Sequence, residues 1–360
     1  MGMKPGNKRR VLVVGPGYGA MGGISVVIDN YRKSSFWPEF RCYHFSSIED
    51  GSQTHKLFFS LRRLLLFLVT IIRARPAAVA LHSSHGTSFY RKFCYLLAAH
   101  ALHIPVILHI HPDYFYEFYR TGSRIRKAFV MYAARCSKKI VFLSAEQRDQ
   151  FSGILRPEKL AVVSNPVDRQ QYKLWRRSWR REPRQVLYLG WITREKGVYD
   201  LLEAIPAIRQ EFPDVSVLFA GPKEVDKLRR LVEERGLSGS ARALGWVEGL
   251  ERLRLLRTSR LLVLPSYTEG VPNVLLEAMA SRLAIVTTPV GGIPSILTDG
   301  LDCLMVQPGD VKGISAAICR LLRDDEECER LAAQGLSEVT GKYDVEVIAG
   351  KLRQIYRQVV

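Results

Sequence analysis

No two of the six cysteines stand at C-x-x-C spacing, and none joins a histidine at zinc-ligand spacing, so the chain carries no recognisable zinc site. Most of Cys42, Cys94, Cys136, Cys303, Cys319 and Cys328 sit in apolar runs and read as buried thiols, which fits a reducing, cytoplasmic setting. Long hydrophobic runs are also lacking. The segment most like a membrane span, Leu57 to Ile72, is broken by Arg62 and Arg63. Its unbroken part, Leu64 to Ile72, is about half of the roughly 20 residues a spanning helix needs. We read it as a helix buried against a sheet, with an interfacial helix as the alternative because Arg73 and Arg75 flank it. The basic N-terminus runs into a short apolar stretch ending at Gly15-Pro16-Gly17, which reads as a first strand and not as a signal peptide. Low-complexity tracts and internal repeats are absent from the sequence.

Negative charge is scarce in the first half. Residues 1–180 hold 29 Lys and Arg against 10 Asp and Glu, whereas residues 181–360 hold 24 against 25. The net charge of +18 therefore belongs to the first half, which should attract an anionic surface such as phospholipid, nucleic acid or a phosphorylated acceptor. The candidate contacts are the Arg62-Arg63 helix, its Arg73 and Arg75 end, and the Arg124-Ile125-Arg126-Lys127 run. No RNP motif, zinc finger or bZIP pattern supports nucleic acid as the partner. We expect none, and expect peripheral contact with an anionic membrane at its cytoplasmic face.

What the chain does have is a regular alternation. Its 360 residues predict two domains at roughly 100–200 residues each. Val11 to Val14 is a continuous apolar run, followed by a glycine-rich turn and a helical pattern, as at the start of a doubly wound α/β unit. Further buried strands are predicted at Ala77–Leu81, Val106–Ile110 and Lys139–Leu143, with helical patterns between them. The pattern stops near Asn165-Pro166, and residues 169–184 are basic and end the first half as a linker. It then restarts, with strands at Gln185–Leu189, Val215–Ala220, Leu261–Leu264 and Ala284–Thr287 and helices such as Val198–Gln210 and Asn273–Ala280. We therefore expect an α/β chain of two Rossmann-like domains, 1–168 and 185–343, joined by 169–184. An amphipathic helix over 344–360 would pack back on the first domain. Such a pair binds its ligand in an interdomain cleft at the strand C-terminal ends.

Two stretches carry chemistry. Gly190 to Gly197 (GWITREKG) lies between a strand and a helix. Its backbone N–H groups, the helix dipole, Arg194 and Lys196 would together suit a diphosphate. Pro265 to Ala280 (PSYTEGVPNVLLEAMA) is more specific. Glu269 falls in the loop after a strand, and Gly270 and Pro272 shape the turn. Asn273 sits where it can cap the next helix, and Glu277 lies on that helix among apolar neighbours. Carboxylates accept sugar hydroxyl hydrogen bonds, and a carboxylate in apolar surroundings needs a partner or a ligand. Among the histidines, His111 ends a strand and is favoured for a site. His109 reads as a core histidine, and His82 and His85 are possible cleft residues. The aromatic run Tyr114 to Tyr119 is open between an acceptor platform, core and a membrane-contact surface.

This second stretch resembles the E-x7-E motif of retaining glycosyltransferases of family 4, which have the GT-B fold. The resemblance extends over nearly the whole chain. Gly22-Gly23 is similar to the family's N-terminal glycine pair, His111 to its cleft histidine, and Asn165-Pro166-Val167-Asp168 to its NPVD stretch. Gly190 with Lys196-Gly197 resembles the phosphate loop, Gly245-Trp246-Val247 the segment that meets the base, and Gly291-Gly292-Ile293-Pro294 the GGIP turn. The resemblance implies an N-terminal acceptor domain and a C-terminal domain for a nucleoside-diphosphate sugar. Glu269 would contact the donor sugar, Glu277 the ribose, and Arg194 or Lys196 the leaving diphosphate. Gly270, Val271, Pro272 and Asn273 are candidate donor-binding residues with Glu269. His111 would line the sugar site, Val247 would meet the base, and Gly22 and Gly23 would lie on the acceptor and phosphate side. It implies transfer with retention to a glycan or polyprenyl-diphosphate-linked acceptor in envelope or exopolysaccharide synthesis, with no cofactor and no metal. The chain departs from the family at Trp191, which stands where an Arg is usual, at Ser281-Arg282-Leu283-Ala284 and at Ser295. The alternatives are a relative that only binds the sugar nucleotide, or a GT-B-fold epimerase or phosphorylase.

Overall fold

The computed structural model describes residues 10–18, 20, 22–48, 53–111, 114–173 and 179–360, with the side chains of 53–58 excepted. The basic residues before Arg10, Pro112 and Asp113, and 174–178 of the expected linker lie outside the described residues. The chain divides into two units, residues 1–166 with 345–360, and residues 167–344.

In the first unit, β1 (Val11–Gly15) leads to helices α1 (Gly23–Lys33) and α2 (Phe36–Glu39) and then β2 (Tyr43–Ser46). There follow α3 (Gln53–Ala74), β3 (Ala78–Ser83), α4 (Thr87–Ala101) and β4 (Val106–Ile110). Helices α5 (Phe115–Arg120) and α6 (Arg124–Cys136) precede β5 (Lys139–Phe142), α7 (Ala145–Asp149) and β6 (Leu160–Val162). The strands form one sheet in the order β2-β1-β3-β4-β5-β6, with every pairing parallel. Helices cover both faces, so the inner strands are apolar on both sides and read as continuous runs. Along β1, Leu12 and Val14 enter a core with Phe67 of α3, Phe93 of α4 and Val130 of α6. Val11 and Val13 enter the opposite core with Val27 and Ile28 of α1.

The expected buried helix over 57–72 is only half buried. Phe67 and Ile71 of α3 are fully covered, while Leu61, Leu65, Val69 and Ile72 face outward. With apolar residues on both sides, α3 looks in sequence like a helix buried all round, but the sheet covers only one of its faces.

The second unit begins with α8 (Arg169–Tyr172) and β7 (Gln185–Leu189). It continues through α9 (Val198–Glu211), β8 (Ser216–Ala220), α10 (Val225–Glu234), β9 (Ala241–Gly245), α11 (Gly249–Thr258) and β10 (Leu261–Leu264). It closes with α12 (Asn273–Ala280), β11 (Ala284–Thr287), β12 (Leu304–Met305), α13 (Val311–Arg323) and α14 (Asp325–Lys342). Its parallel sheet runs β12-β11-β10-β7-β8-β9. The chain leaves β7 toward β8 on one side and returns as β10 on the other, so the order reverses between β7 and β10. In open α/β sheets that switch point, outside the strand C-termini, is where ligands bind. Asp310 and Asp324 cap α13 and α14 by accepting the N–H groups of Gly313 and Glu327.

Residues expected as a linker belong to the second unit, because Asp168 caps α8 and the side chains of Tyr172 and Trp179 are buried. The last helix, α15 (Val345–Arg357), belongs to the first unit. Ile348, Ala349, Leu352 and Tyr356 enter its second core, and Arg353 and Arg357 both bind Glu39, at 2.6 and 2.8 Å.

Candidate functional site

The switch point of the second unit is built from three loops pressed together. β10 ends at Leu264, and Thr287 and Thr288 donate their hydroxyls to Leu264 O and Ser266 O, fixing the start of the following loop. The loop after β7 leans directly on it. Gly197, with φ of +67°, lies so close that a Cβ would stand 2.0 Å from the Pro265 carbonyl oxygen. Tyr267 N–H donates to Glu195 O at 2.9 Å. The loop after β8 abuts the β7 loop in turn, since a Cβ on Gly221 would stand 1.7 Å from Gly190 O. Glycines are therefore required here for backbone approach.

This packing brings Lys196 and Glu269 together. The Lys196 ammonium stands 2.8 Å from Glu269 Oε1 and also donates to Thr268 O at 3.0 Å. Ser266 Oγ donates to the same carboxylate oxygen at 2.8 Å. Glu269 is 8% exposed. Gly292 N–H donates to Gly270 O at 3.1 Å, so the Gly291-Gly292-Ile293-Pro294 turn braces the loop from the other side. Arg194, in the same loop as Lys196, is exposed and acts electrostatically on Asp200 and Tyr267. Trp191 presents its ring to solvent with the Lys223 ammonium 4.8 Å from the ring centre.

Glu277 is held separately. Its carboxylate, 5% exposed, takes Arg252 of α11 on a single oxygen, with Nε and Nη2 donating to Oε2 at 3.0 and 2.5 Å. Burial is the largest single influence on Arg252 and opposes its charge, but the Glu277 carboxylate and Tyr172 together outweigh it and raise the guanidinium's pKa. Glu277 is thus neither a solvated charge nor an unpartnered one. Arg252 was not foreseen from sequence, where it is one of three arginines in GLERLRLLRT.

The remaining donor-side residues are placed as follows. Asn273 does not cap α12. It is the first helical residue, Pro272 occupies the cap position, and no side-chain cap bond forms there. Proline fixes the entry to the helix, and its N-terminal end keeps the partial positive charge that favours an anion. Val247 and Val271 are buried, which leaves their backbone as the part a ligand could meet. Trp246 is exposed and donates Nε1–H to Glu248 at 3.1 Å.

In the first unit, Gly22 occupies the cap position of α1 and Gly23 begins that helix, again without a side-chain cap. His111 follows β4, is 9% exposed, and shares a 2.8 Å hydrogen bond between its Nε2 and His82 Nδ1. His82 pairs in register with His109, and their rings stack at 4.4 Å. His109 Nε2 lies 3.0 Å from the Tyr356 hydroxyl of α15, so His109 is a partnered core histidine. His82 is fully buried and lines no open surface, whereas His85 is exposed against Tyr114. Of the aromatic run, Phe115 enters the core, Tyr116, Phe118 and Tyr119 pack against it, and Tyr114 is exposed.

Burial holds all three histidines neutral. His109 and His111 are pushed down to about 3, and His82 well below its usual value. The unfolded chain takes up these protons near pH 6.5 and the folded chain does not, so stability is full above 6.5 and declines toward pH 3. Going from pH 7 to 6 should cost on the order of 0.7 kcal/mol per histidine. Urea unfolding of the chain at those two pH values tests this. An unchanged or higher midpoint at pH 6 contradicts it.

Residues 21–171 match the family described as Glycosyltransferase Family 4, and residues 183–324 the family described as Glycosyl transferases group 1. Glycogen synthase of Mycobacterium tuberculosis is 28% identical over 237 residues, which cover 65% of this chain and 57% of that protein. Phosphatidyl-myo-inositol mannosyltransferase of Mycolicibacterium smegmatis is 33% identical over 182 residues, covering 50% and 46%. The chain thus spans about half the length of the curated relatives it matches. The crystal structure of Anabaena HepE in complex with UDP-glucose is similar with a TM-score of 0.78 at 15% identity, over 97% of this chain and 100% of that one, a likeness of fold.

Proposed function

The chain belongs to glycosyltransferase family 4 and has the GT-B fold, and from this we propose that it transfers a sugar from a nucleoside-diphosphate sugar to a glycan or lipid-linked acceptor. The observation that carries the reading is the Lys196–Glu269 pair at the β7/β10 switch point. A cation there can take the charge that develops on a departing diphosphate, and the neighbouring carboxylate can accept sugar hydroxyls. Arg194 and the uncapped start of α12 would add positive potential for the diphosphate, with Gly190 and Gly270 giving it backbone access. Glu277 keeps Oε1 clear of Arg252, available to the ribose. Neutral His111 and the Gly22-Gly23 start of α1 would serve the sugar and acceptor side.

In the step we propose, the acceptor hydroxyl oxygen bonds to the anomeric carbon on the face that the diphosphate leaves. The carbon–oxygen bond to the diphosphate breaks, and the acceptor proton passes to the departing phosphate oxygen. Configuration is retained. Lys196 stabilises the leaving charge without a proton changing hands on the protein. No protein-bound metal enters the scheme. Among the described residues no three His, Cys, Asp or Glu side chains converge on a common point.

The test is a panel of UDP-, GDP- and ADP-sugars with melting temperature as the readout. A ligand at about 100 times its Kd stabilises the native state by about 2.7 kcal/mol. One donor class should raise Tm, and EDTA should leave both that shift and transfer intact. A panel with no stabilising sugar nucleotide would remove the donor reading. Full loss of transfer in EDTA, restored by magnesium, would remove the metal-free scheme.

A further inference from the structure

Helices α3, α4 and α6 lie side by side on one face of the first unit's sheet, joined by the Phe67–Tyr95 and Phe93–Phe129 ring contacts at 4.6 and 4.8 Å. Their outward surface does not resemble that of an ordinary helix layer. The three helices contain no Asp or Glu against ten Lys and Arg, of which Lys92 of α4 is buried while Arg62, Arg73, Arg124 and Arg135 are exposed. Arg62, Arg73 and Arg75 border α3, and Arg124, Lys127 and Arg135 border α6. None of these six forms an ion pair among the described residues. On the second unit, by contrast, exposed arginines such as Arg229, Arg254 and Arg320 are matched by Asp226, Glu251 and Glu327.

Between the cations the surface is apolar. Leu61, Leu65, Val69 and Ile72 fall at i, i+4, i+8 and i+11, opposite the buried Phe67 and Ile71, and are 58%, 66%, 44% and 56% exposed. On α6, Ile125 is 70% exposed, and the Phe129 ring meets Tyr90 of α4 at 6.0 Å. Outward aliphatics at this density mark a binding surface.

We propose that the α3–α4–α6 face is a docking surface for an anionic lipid bilayer. The argument is charge complementarity combined with depth. A bilayer interface presents anionic headgroups above acyl chains, so long basic side chains can reach the headgroups while Leu65, Ile72 and Ile125 enter the apolar layer. A nucleic-acid backbone offers nothing to those aliphatics. No described helix is long and apolar enough to cross a membrane, so attachment through this face is peripheral. It is independent of what the second unit binds, because it is read without any donor.

The test is flotation of the full chain with phosphatidylcholine vesicles, with and without phosphatidylglycerol. Binding is expected only where the anionic lipid is present, weakened but not abolished by salt. Leu65→Asp with Ile72→Asp, and separately Arg62→Glu with Arg73→Glu, should each lower vesicle affinity about tenfold or more. All four positions are exposed, so Tm and nucleotide-sugar binding should hold. Arg230→Glu on α10 serves as the control and should bind as the wild type does. A polarity-sensitive fluorophore on Cys94, exposed on α4, reads insertion in the chain without those substitutions and should shift to the blue on anionic vesicles. The proposal is overturned if both double variants bind normally, or if the fluorophore does not shift at saturating lipid. It is also overturned if duplex DNA binds with the same loss in the arginine variant and none in the Leu65/Ile72 variant.

Discussion

Glu269→Gln is expected to lower kcat by about 10²–10³-fold while changing nucleotide-sugar affinity by less than about threefold. The amide can still accept from Ser266 Oγ, so the loop conformation survives. What disappears is the charge opposite Lys196 and a carboxylate for the sugar hydroxyls. Hydrogen bonds that tighten as the sugar flattens toward the transition state affect turnover, whereas contacts made equally to ground and transition states affect only binding. Steady-state kinetics with a matched nucleoside-diphosphate titration separates the two. A purely structural role would show as a fall in Tm with kcat unchanged among the folded molecules.

Glu277→Ala is expected to act on binding and stability together. It leaves the Arg252 guanidinium in a largely buried position with its ion-pair partner gone. Breaking such a pair from one side typically costs about 3–5 kcal/mol, and since Arg252 is a quarter exposed we expect about 3 kcal/mol. Nucleotide affinity should fall as well, through loss of the ribose acceptor. The two effects separate in Glu277→Ala with Arg252→Met. Removing both charges should recover most of the stability and none of the nucleotide affinity. Recovery of both would make Glu277 a structural anchor only.

The elements that were legible in sequence and those that were not differ in one physical respect. β1, β3, β4, β5, β7, β8, β10 and β11 lie inside their sheets, are covered on both faces, and show as mostly apolar runs. The strands that were missed, β2, β6, β9 and β12, are the four sheet edges. β6 is half-buried throughout, and β9 places Arg242 in solvent. An edge strand has a neighbour on one side only, so its residues need not be apolar and its pattern merges with that of a loop.

The site divides in a similar way. Glu269, Glu277 and Lys196 could be picked out because each falls at a fixed offset from a strand end or glycine turn. Their partners could not. Arg252 reaches Glu277 across 25 residues, and Ser266 and Lys196 share one oxygen of Glu269 only because Gly197 lets two loops touch. The histidine network was half visible. His109 on β4 and His111 just after it are two residues apart in an extended segment, but His82 joins them only through the β3–β4 register.

The most direct test of the central claim is to take the nucleoside-diphosphate sugar that most raises Tm and follow its anomeric proton by NMR. The chain is mixed with this donor and a lipid extract as acceptor source, in the presence of EDTA. The account predicts release of the nucleoside diphosphate, a glycosylated product with the donor's anomeric configuration, and loss of both in Glu269→Gln. Inverted product, release of a nucleoside monophosphate, or equal turnover in Glu269→Gln would contradict it.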